Sequence, residues 1–288
     1  MTGFIEYNAK EMEMRERYKM LISAVAPRPI GFATSINSEG NINLAPFSFF
    51  NAFSANPPIV GISPAFSGRT GKPKNTLTNI LETKEFTLSV VTFDMVEQMN
   101  ICAAEYPPDV NEFLKSGLSP YQGKVVSTPG VAESPLILEC NFTEHIQFSD
   151  QPAGGNLLLG EVVYIHAKDA IFDENSKIDP HKIDQVARMG YNWYSRSIQG
   201  MFELKAPKYL PLGVDKLPKE VQSCPYFPGN LLARLASIEN IPERQEIAEL
   251  SETYDRLSTD EMLKICAKLV SEGRILQAWQ ILYLAELL

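Results

Sequence analysis

Histidine is scarce in this sequence, with three in 288 residues, and His145, His166 and His181 have no nucleophile or carboxylate motif around them. A hydrolytic triad has no visible frame there. Cysteine is almost as sparse: Cys102, Cys140, Cys224 and Cys266 are four in number, none within metal-ligand spacing of another. That spacing argues against a zinc site and against a disulfide scaffold, and predicts four free thiols, buried or half-buried. Cations are outnumbered, 26 Lys+Arg against 35 Asp+Glu for a net charge of −9, and no stretch concentrates them. A phosphate-backbone binder needs such a concentration, so a nucleic-acid partner is not expected. A few local donors still suffice for a small anionic ligand. No apolar run reaches the ~18–20 residues of a membrane helix, and the last fourteen residues, though apolar, are broken by Gln277, Gln280 and Glu286. The N-terminus lacks a basic stretch followed by an apolar one, the form of a secretion signal. The expectation is a cytoplasmic, soluble protein with no membrane partner.

What is present is a globular composition, 44% apolar and 21% charged, in a chain long enough for one large or two small cores. Up to about residue 208 strand-like runs alternate with turn signals. Residues 29–36 read as a strand, Asn37 to Gly40 as a hairpin turn, and residues 41–50 as the returning strand. Residues 58–63 and 86–92 are further short strands, and 136–148 and 157–167 a long hairpin. Leu77, Ile80 and Leu81 place a helix over 75–84, with Asn75 or Thr76 as its cap. A second helix is expected over 93–105, stopped by Pro107 and Pro108, and a short one opened by Asp179 and Pro180. Pro211, Pro218, Pro225 and Pro228 make 209–229 read as a linker. Beyond it 230–288 reads as a helical module, with a capping box at Ser258 and Glu261. Those helices are expected to form a small bundle or to dock a protein partner.

Three segments, 28–35, 43–50 and 72–76, carry chemistry. Prolines 27 and 29 hold Arg28 in extended backbone, and Thr34 and Ser35 put hydroxyls just before a turn. They suit a phosphate or a heterocycle carbonyl, or are ordinary strand residues. Asn43, Ala45, Pro46, Phe47, Ser48 and Phe50 follow, and Pro46 forces the backbone out of a central ladder. That frees N–H groups for a planar ligand, or makes a bulged strand with core aromatics. Ser63, Arg69, Lys72, Lys74, Asn75 and Thr76 then gather cations and hydroxyls in front of a helix. Such a set suits a terminal phosphate, or is a solvated basic loop.

In order and together, these residues resemble the flavin reductase-like family, the FMN-binding split-barrel proteins that include flavoredoxins. The match runs through Arg17 and Tyr18, Pro27 to Ile30, Thr34 and Ser35, the 43–50 run, Asn56 to Pro58, and Lys74 to Thr76. It continues through Gly160 to Val163 and Arg188 to Tyr191, and covers about 12–208. Members usually carry Lys-Asp-Thr where this chain has Lys74, Asn75 and Thr76. The resemblance implies a β-rich α+β fold, a six-stranded Greek-key split β-barrel with flanking helices, to which this chain adds an all-α C-terminal extension. It implies a homodimer holding FMN near the subunit interface. Thr34, Ser35 and the 43–50 backbone would serve the ring and ribityl chain. Ser63, Arg69, Lys74 and Thr76 would serve the phosphate end, and Arg28 and Asn75 are also expected among the cofactor-binding residues. NADH or NADPH would give a hydride to flavin N5; a flavoredoxin-like electron carrier and a non-enzymatic flavin-binding protein are the alternatives. His145, in a strand, reads as structural rather than catalytic.

Overall fold

In the computed structural model the structure is described for residues 3–244 and 257–288, and it divides into two compact units, Met1–Met201 and Phe202–Leu288. The first opens with helix α1 (Met14–Ala24). Strands β1 (Arg28–Pro29), β2 (Gly31–Ile36), β3 (Ile42–Phe47), β4 (Phe50–Ala55) and β5 (Pro58–Ile62) lead to α2 (Asn75–Thr83) and β6 (Glu85–Val90). Helices α3 (Val96–Ile101) and α4 (Glu112–Ser116) follow, then the short strands β7 (Pro120–Tyr121) and β8 (Gly130–Val131). The long hairpin β9 (Leu136–Gln147) and β10 (Asn156–Ala167), helix α5 (Pro180–Ile183) and strands β11 (Val186–Gly190) and β12 (Trp193–Arg196) complete it.

Seven strands form one antiparallel sheet in the order β3-β2-β6-β9-β10-β5-β4. The sheet curls into a split barrel. Its two edge strands, β3 and β4, are joined directly through Ser48 and Phe49 yet form no ladder with each other. Pro46 sits in β3 opposite Phe32 of β2, and an edge strand tolerates its missing N–H. The run expected as one strand over 41–50 is therefore two strands broken at Ser48, and the sheet has seven strands where six were expected.

The interior is closed by Phe32, Ile62, Phe86, Leu88 and Leu158, all essentially inaccessible. Both faces of β6 are covered, so even Thr87 and Ser89 are buried, each with a hydrogen bond: Thr87 Oγ1 donates to Pro129 O at 2.7 Å, and Ser89 Oγ accepts from Val131 N at 3.0 Å. Gly160 is required by packing, because a Cβ there would stand 2.5 Å from the Phe86 ring. Glu139 is a fully buried carboxylate on β9. It accepts from the backbone N–H groups of Lys124, Val125 and Val126 at 2.6, 2.7 and 2.8 Å, and pairs with His166. Burial opposes its charge, but these donors outweigh burial and bring its pKa down to about 2.

Two helical expectations change. The second helix ends at Ile101, and residues 102–107 turn instead to face a cleft. The cap of α2 is Lys74, without a side-chain cap, because Asn75 and Thr76 point to other partners.

In the second unit the helices Thr259–Ser271 and Ile275–Leu284 pack around Trp279, Cys266, Val270 and Leu235. Trp279 Nε1 donates to Leu235 O at 3.1 Å. Ser258 and Glu261 form the expected capping box. The proline-rich stretch expected to be a linker contributes Leu217, Val221, Cys224 and Phe227 to the same core, so its prolines punctuate short helices there. Among the described residues no helix is long and apolar enough to cross a membrane. All four cysteines are free and buried.

Candidate functional site

Beside the end of β3, where the chain leaves the strand through Ser48 and Phe49, lies a cleft of about 1120 Å³ in the first unit. Asn43, Ala45, Pro46, Phe47, Ser48, Ser63, Arg69, Lys74, Asn75 and Thr76 line it, so most of the residues singled out in sequence converge. The facing wall comes from α1, through Tyr18 and Leu21, from residues 102–107, and from Phe148, Ala153 and Gly155 near the β9–β10 turn.

Arg28, Thr34, Ser35 and Phe50 do not line the cleft. Thr34 and Ser35 lie on β2, flanked by β3 and β6, and are wholly buried. Ser35 Oγ accepts from Asn43 Nδ2 at 3.4 Å and Asn79 Nδ2 at 3.2 Å, so it steadies a cleft residue from behind. The buried Arg28 guanidinium donates to the carbonyls of Ile22 and Val25 and reaches Ser48 Oγ at 3.5 Å, tying the end of α1 to the β3–β4 seam. Phe50 packs on the barrel core. His145 is also away from the cleft, with Nε2 3.0 Å from Asn156 Oδ1.

At one end of the cleft α2 begins. Its first backbone bonds run from Leu77 and Thr78 back to Lys74 O, so the N–H groups of Asn75 and Thr76 precede the helical ladder. Asn43 Nδ2 donates to Thr76 Oγ1 at 2.8 Å, which leaves the threonine proton available to another acceptor. Lys74 pairs with Glu105, and Arg69 lies 3.6 Å from the same carboxylate. The Lys74 hydrogen bond, with Ser67 and Arg69 beside it, holds Glu105 below the usual carboxylate range.

A second carboxylate, Glu112, is almost fully buried on the cleft wall and accepts from Leu44 N at 3.0 Å. Burial pushes its pKa up. Cys102 also borders the cleft, but burial pushes its thiol up to about 11, so it stays protonated and unreactive. Sequence reasoning missed Glu105 and Glu112 because each acts on a segment 31 or 68 residues away.

This barrel, its open seam and a cation-lined cleft beside a helix start define a flavin reductase-like split barrel. The family described as "Flavin reductase like domain" matches residues 23–192, and the chain belongs to that family. An uncharacterized protein from Aquifex aeolicus is 36% identical over 194 residues, 67% of this chain and 96% of that protein. Among solved structures, nitrilotriacetate monooxygenase component B from Bacillus cereus superposes with a TM-score of 0.66 at 30% identity, covering 71% of this chain and 100% of that one. The 2-nitrobenzoate 2-nitroreductase NbaA of Pseudomonas fluorescens superposes with a TM-score of 0.62 at 26% identity, covering 72% and 98%.

Proposed function

We propose that this protein holds FMN in the cleft at the β3–β4 seam and acts as an NAD(P)H-dependent flavin oxidoreductase. The observation that carries the reading is the convergence of Arg69, Lys74, Thr76 and the start of α2 at one end of the same cleft whose wall is the edge strand β3. The residues fit the group. Two cations, a hydroxyl with a free proton and unladdered N–H groups suit a phosphate monoester. The cleft, about 1120 Å³, exceeds the ~300–1,000 Å³ typical of ligand pockets, which leaves room for a second planar substrate. The two solved neighbours, a nitrilotriacetate monooxygenase component B and a 2-nitrobenzoate 2-nitroreductase, also favour an oxidoreductase.

The roles divide along the cleft. Lys74 and Arg69 would neutralise the phosphate, and Thr76, held by Asn43, would donate to it. Ala45 to Phe47 lie on an edge strand paired on one side only and Ser48 follows its end, so this backbone offers unpaired groups to the flavin ring system. Phe47 and Phe49 give that wall apolar bulk. FMN bound there would supply two-electron chemistry, taking a hydride from NADH or NADPH. The exposed edge strand β4, with Phe53 on it, and exposed Phe49 and Phe148 support a homodimer as the working unit.

Purified protein should show flavin absorption, or take up added FMN, and the bound flavin should bleach anaerobically with NADH or NADPH. A protein that binds no FMN refutes the proposal. Bound flavin that neither nucleotide bleaches would make it an electron carrier fed by another protein.

A further inference from the structure

The donors at the phosphate end of the cleft already share one partner. Glu105 pairs with Lys74, lies 3.6 Å from Arg69, and accepts from Ser67 Oγ at 3.3 Å. It stands on residues 102–107, the wall facing α2. That wall is tied a second time, because Asn75 Nδ2 donates to Tyr106 O at 3.1 Å. An aspartate at position 75 would have no proton to give there. The negative charge beside Lys74 therefore comes from across the cleft, and Asn75 fixes the backbone that carries it.

We propose that Glu105 is an internal competitor for the phosphate donors Ser67, Arg69 and Lys74, and that it sets how strongly the cleft prefers a phosphorylated flavin over an unphosphorylated one. The proposal rests on the flavin reading of the same cleft. A phosphate monoester approaching these donors must share them with the carboxylate or displace it, and like charges at such range repel. Lys74 favours the ionised form of Glu105, so the competition is present at neutral pH. The Glu105 side chain is 39% exposed, so it has a path to water when displaced. Its backbone stays in place through the Asn75 bond, so yielding the donors requires a side-chain rotation and no movement of the wall.

The test is fluorescence titration of FMN and of riboflavin against the full-length protein and its Glu105→Gln variant. Glutamine keeps the size and an acceptor oxygen but removes the charge. FMN should bind about three- to fivefold more tightly to the variant, as expected for relief of one partly exposed charge pair, while riboflavin changes by less than about 1.5-fold. Riboflavin binding also reports that the variant is folded. A second variant, Glu105→Ser, should move the FMN-to-riboflavin ratio the same way, and the gain should shrink in a Lys74→Met background. FMN binding with an unchanged or lowered ratio would overturn the role of Glu105 alone. Failure of every form to bind any flavin would overturn the flavin reading and this inference with it.

Discussion

Glu139→Gln is the substitution whose effect the structure defines most fully. Glu139 is inaccessible to solvent and receives three backbone N–H groups from Lys124, Val125 and Val126, together with His166. A fall in pKa from 4.5 to about 2 corresponds to about 3 kcal/mol in favour of the ionised, folded state. The folded value lies below the unfolded one, so this stabilisation is complete above about pH 5 and is lost as the pH falls toward 2. Glutamine offers one acceptor oxygen and turns two protons toward donors. At pH 7 the variant should therefore lose about 3 kcal/mol, and its deficit against the parent should narrow by about 2 kcal/mol between pH 7 and pH 3. Urea unfolding followed by circular dichroism measures the deficit at each pH. Amide exchange over residues 124–126 reads the same event locally, because those N–H groups lose their acceptor. An equal deficit at both pH values, or one under about 0.5 kcal/mol at pH 7, would refute the assignment of the low pKa to this cradle.

Lys74→Met combined with Thr76→Val should weaken FMN by about 2–4 kcal/mol and leave riboflavin nearly unaffected, since charge-assisted bonds to phosphate would be lost; calorimetric titration decides, and unchanged FMN affinity would misplace the phosphate. Glu112→Ala leaves the buried N–H of Leu44 without an acceptor and should destabilise the protein by about 1–3 kcal/mol, with Glu112→Gln restoring most of it in the same denaturation assay. Gly160→Ala places a methyl 2.5 Å from a Phe86 ring that has nowhere to move, and should cost about 1–3 kcal/mol by thermal unfolding.

Local grammar was readable in the sequence and distant partnership was not. The Ser258–Glu261 capping box and the Asp179–Pro180 helix start rest on residues within one turn, and both form as expected. The hairpin Leu136–Gln147 and Asn156–Ala167 shows as two long apolar-rich runs joined by the Pro/Gly turn residues of 151–155. Strand β4 does not, because residues 51–55 are exposed and carry no buried face to impose a period. Arg28, Thr34 and Ser35 stood out in sequence, but Arg28 turns to carbonyls and Ser35 to an asparagine that only the folded chain brings close, and Thr34 is buried on β2. The carboxylates that organise the molecule were silent for the same reason. Glu105, Glu112 and Glu139 act across 31, 68 and 14 residues of chain, and nothing beside them in sequence marks them. The proline-rich stretch misled because proline density signals broken helices as readily as a tether.

The seam between β3 and β4 has a mechanical consequence. Two sheet edges that share no ladder can be drawn apart without breaking a single strand-to-strand hydrogen bond. What limits them is the covalent leash of Ser48 and Phe49, three Cα steps between Phe47 and Phe50, or about 11 Å at full stretch, together with the Phe50 ring packed on the barrel core. The barrel is therefore stiff around its circumference and compliant along one line. Any opening along that line is bounded by the length of a dipeptide rather than by the strength of the sheet.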